Sequence, residues 1–158
     1  ACEYYLDFFS KQYGFQWSIL RYANVFGPRQ NAHGESGVIS IFANRIRNGL
    51  PPIVYGSGTQ IRDYVYVSDV VAANVLFSRF DTPNEIYNVG TGIGTSLNRL
   101  LQLITSQYPN VKTTVYEKAK SGDIQWNVLA VDKLKSFGWQ PKVNIEQGLK
   151  EVCTIKGE

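Results

Sequence analysis

Tyr4, Tyr5, Phe8, Phe9 and Tyr13 recur at helical spacing, which predicts a helix over residues 1–13 with one broad aromatic face. Gly14 supplies its stop. Residues 15–22, FQWSILRY, then read as a mostly buried strand, and so short a link from helix to strand predicts α/β layering. Residues 23–37 are rich in Asn, Gly and Pro and read as a loop. Val38, Ile39, Phe42 and Ile46 mark a second helix, closed by Gly49 and Pro51. A short strand from Pro52 to Tyr55 leads into the turn Gly56-Ser57-Gly58, and residues 61–67 alternate as a strand should. Ser68 and Asp69 are expected to cap a helix carrying Val71, Val75, Leu76 and Phe80.

Residues 85–89, EIYNV, form another expected strand, opening into the glycine loop Gly90-Thr91-Gly92-Ile93-Gly94. Leu97, Leu100, Leu101 and Ile104 share one face of the following helix, which stops before Pro109. A strand over 113–117 and short helices near 132–137 and 146–155 complete the order. Helices and strands mix throughout without repeats or linkers, so the expectation is a single α/β unit over residues 1–158.

Composition narrows the function classes. The 158 residues are 44% apolar and 18% charged, which suits a globular domain and not a disordered chain. Net charge is +3 with the basic residues scattered, too mild for nucleic acid binding. No apolar run approaches a membrane span and no signal peptide is visible, so no membrane partner is expected. Cys2 and Cys153 stand near opposite ends, read as free thiols of a reducing, cytoplasmic compartment. His33 is the one histidine, and no metal site is expected. The chain has no methionine and opens on a helix without a cap, from which the natural protein is expected to begin upstream.

Three stretches could carry chemistry. The loop at 90–94 follows a strand and precedes a helix, with Glu117 ending the next strand, but its glycines run G-x-G-x-G where a dinucleotide turn needs G-x-G-x-x-G. A plain strand-to-helix turn is the expectation there. In Gly56–Tyr64, two glycines expose backbone N–H groups and Arg62 could grip phosphate oxygens; a hairpin turn followed by an Arg–Asp surface pair fits the residue types equally well. Asn24 lies just beyond a buried strand, where ligands of α/β sheets gather, or else it stabilises its own loop. No Ser or Cys nucleophile has a convincing base, and no catalytic residue is assigned.

Together these segments resemble the extended short-chain dehydrogenase/reductase family, particularly its UDP-glucose 4-epimerase-like nucleotide-sugar enzymes. LRYANVFGPRQ at 20–30, VYGSGTQIRDYVYVSDV at 54–70 and YNVGTG at 87–92 carry the resemblance, with SGD at 121–123 and FGWQPKV at 137–143 extending it. The resemblance implies the C-terminal strands of a Rossmann-type sheet plus a small mixed α/β substrate-binding domain. It implies that Asn24 reaches the sugar diphosphate and that backbone near Gly37, Val38 and Ile39 reads the base, with Tyr55 packed beside it. Arg62 would grip the diphosphate, Asp123 would bond the ribose, and Tyr22 would lie near the nicotinamide pocket. Two departures stand out: Lys120 occupies a place where the family usually has arginine, and Ala130 one where it often has aspartate.

The family also begins with a glycine-rich cofactor turn and carries Tyr-x-x-x-Lys on a helix. This chain resembles it from just after that lysine onward and is expected to lack both. The expectation is therefore a UDP-sugar-binding portion of an NAD-dependent epimerase, inactive alone and holding no NAD by itself, with a homo-oligomer as its state. A non-catalytic binding or interaction module, or a dehydratase parent, remains an alternative.

Overall fold

A computed structural model describes residues 1–31, 37–78, 84–111 and 113–154 of the chain. His33 and Phe80, singled out above, lie outside them. Helix α1 (Cys2–Tyr13) ends at Gly14, whose φ of 72° suits glycine and whose N–H donates to the Ser10 carbonyl at 2.8 Å. Its Glu3 accepts from Arg21 Nε at 2.9 Å, which fixes α1 to β1 (Ser18–Tyr22). That strand is shorter than the expected 15–22, because the Trp17 N–H is taken by the Asn84 side chain. The expected loop over 23–37 in fact opens with β2 (Asn24–Phe26), since Phe26 is buried in the core and the strand pairs with β4.

Next come α2 (Val38–Arg47), β3 (Ile53–Tyr55), β4 (Ile61–Tyr66) and α3 (Val67–Phe77). Ser68 and Asp69 do not cap α3; they lie inside its first turn, after Tyr66, which makes no side-chain cap. Asp69 is buried and accepts from the Lys142 and Val143 N–H groups at 3.1 Å each, while its carbonyl accepts from Trp139 Nε1. It anchors a distant segment instead of its own helix. The buried face of α3 is Val70 and Ala73; Val71 is 55% exposed and Val75 40%, a correction to the expected stripe. A helix apolar on all sides gives periodicity nothing to choose between.

The remaining elements are β5 (Glu85–Val89), β6 (Gly94–Ser96), α4 (Leu97–Thr105), β7 (Val115–Glu117), β8 (Trp126–Asn127), α5 (Asp132–Lys135) and α6 (Ile145–Thr154). Two of these strands were not expected: β6, between the glycine loop and α4, and β8. Strands β1 and β5 pair in parallel, as do β3 and β7. The hub is β4. Its first half lies between antiparallel β6 and parallel β8, and its second half pairs in parallel with β2.

Alternation along β4 divides the interior in two, as the two-residue period of a strand requires. Tyr64 and Tyr66 enter one buried cluster with Phe26, Phe42, Leu100, Ile104 and Leu149, from β2, α2, α4 and α6. Gly148 of α6 allows this packing, because a Cβ there would meet Phe26 and Tyr66 ring atoms at 2.7 Å. Val65 enters the other cluster with Val70, Tyr87, Leu134 and Trp139. Between them Asp63, 1% exposed, accepts from Thr91 N–H at 2.9 Å, Thr91 Oγ1 at 2.5 Å and Gly92 N–H at 3.0 Å. Gly90 must be glycine for this, since a Cβ would stand 2.5 Å from the carboxylate. Among the described residues no helix is long and apolar enough to cross a membrane, and both cysteines are free.

Two expected outcomes follow from this packing. Asp63→Ala orphans three donors, each costing about 1–3 kcal/mol, so the variant should lose about 3 kcal/mol or more in urea unfolding. A loss below about 1 kcal/mol would show that the glycine loop is held by something else. The second concerns alkali. Burial pushes the Tyr64 and Tyr66 phenols up to about 12, and for Tyr66 the neighbouring Glu151 adds to it. Their usual value near 10 returns on unfolding, so their contribution is complete below pH 10 and drains away between 10 and 12. Unfolding free energy should fall across that window, and Tyr64→Phe should flatten the decline. A wild-type profile flat from pH 9 to 12 would contradict it.

Candidate functional site

The glycines at 56 and 58 do not make a hairpin. Strands β3 and β4 pair with β7 and with β2, β6 and β8, so the turn carries the chain between ladders. Nor is Arg62 in a surface pair with Asp63, which faces inward from the next position of the strand. Arg62 Nη2 instead donates to Asp123 Oδ1 at 2.7 Å, and Nη1 to the Ile61 carbonyl at 2.9 Å. Both side chains are largely covered, 19% and 29% exposed, so this pair is less screened than a surface one. Gln60 Nε2 bridges from the Tyr55 carbonyl at 3.1 Å to Asp123 Oδ2 at 3.2 Å.

Opposite this pair, the Lys120 ammonium lies 4.1 Å from the centre of the Tyr55 ring. The segment joining β7 to β8 is tied down at both flanks, by Gly56 N–H to the Glu117 carbonyl and by Ile61 N–H to the Gln125 carbonyl, each at 2.9 Å. The arrangement offers two cations, one carboxylate and an aromatic face, from β3, β4 and one turn of the β7–β8 connection. Such a set suits a ligand with both phosphate and hydroxyl groups beside a flat ring.

Tyr55, Arg62 and Asp123 thus come together, with Gln60 and Lys120 completing the group. Asn24 sits beside it along the ladder: it pairs with Tyr64, and its Nδ2 donates to the Asp63 carbonyl at 2.9 Å. That bond ties β2 to β4, where the expected alternative to a ligand contact was an Asn stabilising its own loop. Gly37 precedes α2 and its carbonyl accepts from Ser40 Oγ and Ile41 N–H, while the Ile39 side chain is in the core. Val38 is half-buried in the first turn of α2. No hydrogen bond among the described residues joins these three to Arg62 or Asp123. Tyr22 is elsewhere, at the end of β1, where its hydroxyl donates to Asn74 Oδ1 at 3.0 Å. It lines a cavity of about 380 Å³ together with Trp17, Leu20 and Phe77.

The glycine loop does not fit a dinucleotide. Its Thr91 and Gly92 N–H groups, which a pyrophosphate would need, are taken by Asp63, whose negative charge would also face the phosphates. The expectation that the chain lacks Tyr-x-x-x-Lys needs correcting as a matter of spacing. The spacing occurs twice, at Tyr108–Lys112 and Tyr116–Lys120, and neither tyrosine is on a helix. Lys112 lies outside the described residues; Tyr116 is in β7 and its hydroxyl donates to Asn98, while Lys120 covers Tyr55. Gln60 was not singled out from sequence, and a glutamine between two turn residues and a strand offers no distinguishing signal.

Comparison with known proteins bears on these residues. The model of the NAD dependent epimerase/dehydratase family matches residues 1–90. The solved UDP-glucose 4-epimerase of Thermotoga maritima, with UDP-glucose, is 44% identical at a TM-score of 0.91, over 96% of this chain and 49% of that one. The Thermus thermophilus UDP-glucose 4-epimerase complex with NAD is 39% identical at a TM-score of 0.84, over 96% of this chain and 50% of that one. The UDP-glucose 4-epimerase of Mycolicibacterium smegmatis is 34% identical over 150 residues, 94% of this chain and 48% of the relative. The chain spans about half the length of the relatives it matches. These likenesses agree with the Rossmann-type α/β class expected from the sequence.

Proposed function

The chain belongs to the NAD-dependent epimerase/dehydratase family, and we propose that it forms the nucleotide-sugar-binding portion of an epimerase acting on a UDP-sugar. The observation that carries this reading is the group Tyr55, Arg62 and Asp123, drawn together from three separate segments by Gln60, Lys120 and the Arg62–Asp123 pair. Arg62 grips the diphosphate, with Lys120 as a second cation when it leaves the Tyr55 ring. Tyr55 packs beside the uracil, and Asp123 accepts from the ribose hydroxyls. Asn24 contributes its amide to the sugar diphosphate, and the first-turn N–H groups near Gly37, Val38 and Ile39 read the base. A 4-epimerase parent is favoured over a dehydratase because the UDP-glucose 4-epimerases named above are more alike in sequence to this chain than the dTDP-D-glucose 4,6-dehydratases that also match.

NAD supplies hydride transfer in such enzymes when bound. Nothing in the glycine loop here suits it, so no step of this chain is derived through the cofactor. Tyr22 would lie near the nicotinamide, a reading supported by its place on the cavity wall. With no acid–base pair assigned, the chain is proposed to bind without catalysing the epimerisation alone. A non-catalytic binding module is the reading that the same data would serve if no enzyme is involved.

Calorimetry tests the site. UDP should bind the wild type weakly, Arg62→Ala should weaken it roughly tenfold or more, as loss of a charge-assisted partner costs about 1.5–3 kcal/mol, and NAD should give no heat of binding. Equal UDP affinity for the two proteins would show that the diphosphate lies elsewhere.

The reading includes a homo-oligomer joined through α1. Tyr4, Tyr5, Phe8, Phe9 and Tyr13 are between 41% and 83% exposed, and Tyr5, Phe9 and Tyr13 stack in file at 6.4 and 5.9 Å. At about 150–250 Å² per aromatic side chain this leaves roughly 500–800 Å² per copy, close to what each partner buries in a standard interface. Beside it, β1 has β5 as its one ladder partner among the described residues. Light scattering should give a mass that rises with concentration to a dimer or beyond, and Phe9→Glu should lower it. A wild-type monomer at millimolar concentration would rule the interface out.

A further inference from the structure

Both halves of the candidate site are occupied by the protein itself, and by the same turn. The Asp123 carboxylate sits on Arg62, where a ligand's anion would sit, and the Lys120 ammonium sits on the Tyr55 face, where a ligand's ring would sit. The two residues are three apart and share the turn closed by Asp123 N–H to the Lys120 carbonyl at 3.4 Å. Gly122, with φ of 80°, gives that turn its sharp reversal. We propose that residues 120–123 are a latch that makes the site selective: it yields to a ligand carrying a diphosphate, a ribose and a planar base in one molecule, and rejects pyrophosphate or a nucleoside alone. The proposal rests on the nucleotide-site reading above.

The selectivity comes from what each partial ligand leaves unpaired. Pyrophosphate can displace Asp123 from Arg62 but offers that carboxylate no donor in return, and its own charge then faces it. A nucleoside can displace Lys120 from the Tyr55 ring and offer hydroxyls to Asp123, but it gives neither Lys120 nor Arg62 an anion. A nucleoside diphosphate satisfies all of them together: phosphates for Arg62 and Lys120, ribose hydroxyls for Asp123, base for Tyr55. Because one short turn carries both residues between backbone ties at Glu117 and Gln125, opening either contact loosens the turn and strains the Gln125 tie, so a ligand that relieves only one contact bears the cost of both. Gln60, bonded to Asp123 from β4's own approach, sets how firmly the latch closes.

Titration with pyrophosphate, uridine and UDP, on wild type and on Asp123→Asn and Lys120→Gln, tests this, alongside hydrogen exchange of the Ile61 amide that donates to Gln125. Asp123→Asn should bind pyrophosphate about tenfold more tightly than wild type and speed exchange at Ile61. Lys120→Gln should bind uridine more tightly and UDP no better. Pyrophosphate affinity unchanged or lowered in Asp123→Asn overturns the latch, even if UDP binds through Arg62 as proposed. If UDP binds neither wild type nor Arg62→Ala, the nucleotide reading fails, and Ile61 exchange decides the latch by itself: faster in Asp123→Asn sustains it, unchanged overturns it. Should Asp123→Asn not fold, Gln60→Ala, which removes a second hold on the same carboxylate, is read for the same changes in lesser degree.

Discussion

The carboxylate of Asp63 is the point on which the two halves of the molecule meet. It belongs to β4, the strand with three ladder partners, and it accepts from the loop that leaves β5, a strand of a different sheet. Among the described residues no ladder joins those two sheets, so side-chain packing and this side-chain-to-backbone contact make the link. A buried carboxylate is tolerable only when its lone pairs are met, and here Thr91 and Gly92 meet them. The glycines let the loop come close enough to do so. The position of Arg62 follows: alternation puts it on the face of Tyr64 and Tyr66, at the end of β4 beyond their buried cluster, where it meets Asp123.

That alternation also decides which parts of the site are stiff. Arg62 and Tyr55 stand on short strands backed by the larger buried cluster, where Val54 and Tyr64 are packed away from water. Their partners Asp123 and Lys120 belong to a connection whose residues are mostly exposed. Side chains on a packed scaffold hold their geometry; a connection tied at two backbone bonds can move between them. The site is therefore one fixed wall facing one adjustable one.

How much of this could be read from the sequence depends on where the information was local. Leu97, Leu100, Leu101 and Ile104 are all buried because one amphipathic helix repeats a pattern that has a single solution. Val71 and Val75 misled because α3 is apolar on every side, and only tertiary packing chose Val70 and Ala73. Strands β2, β6 and β8 are three, three and two residues long, too short for any period, and exist because β4 offers them a ladder. Arg62 and Asp123 were each singled out through the family resemblance. That they face one another was not legible, since sixty-one positions separate them and nothing local records the meeting.

The glycine loop shows why motif and mechanism have to be separated. A strand, a run of glycines and a following helix place backbone N–H groups where an anion can be received, and the sequence 90–94 has all of these features. The anion it receives is internal. An aspartate fixed on β4 needs no binding equilibrium and never leaves, so the same geometry that would cradle a phosphate elsewhere becomes a permanent strut. Arg62, one residue away, has the opposite character: its internal carboxylate comes from a turn whose other residues are exposed, the one proposed above to yield to a ligand. What distinguishes a strut from a site, in two anion contacts built on neighbouring residues of one strand, is whether the internal partner can be replaced from solvent.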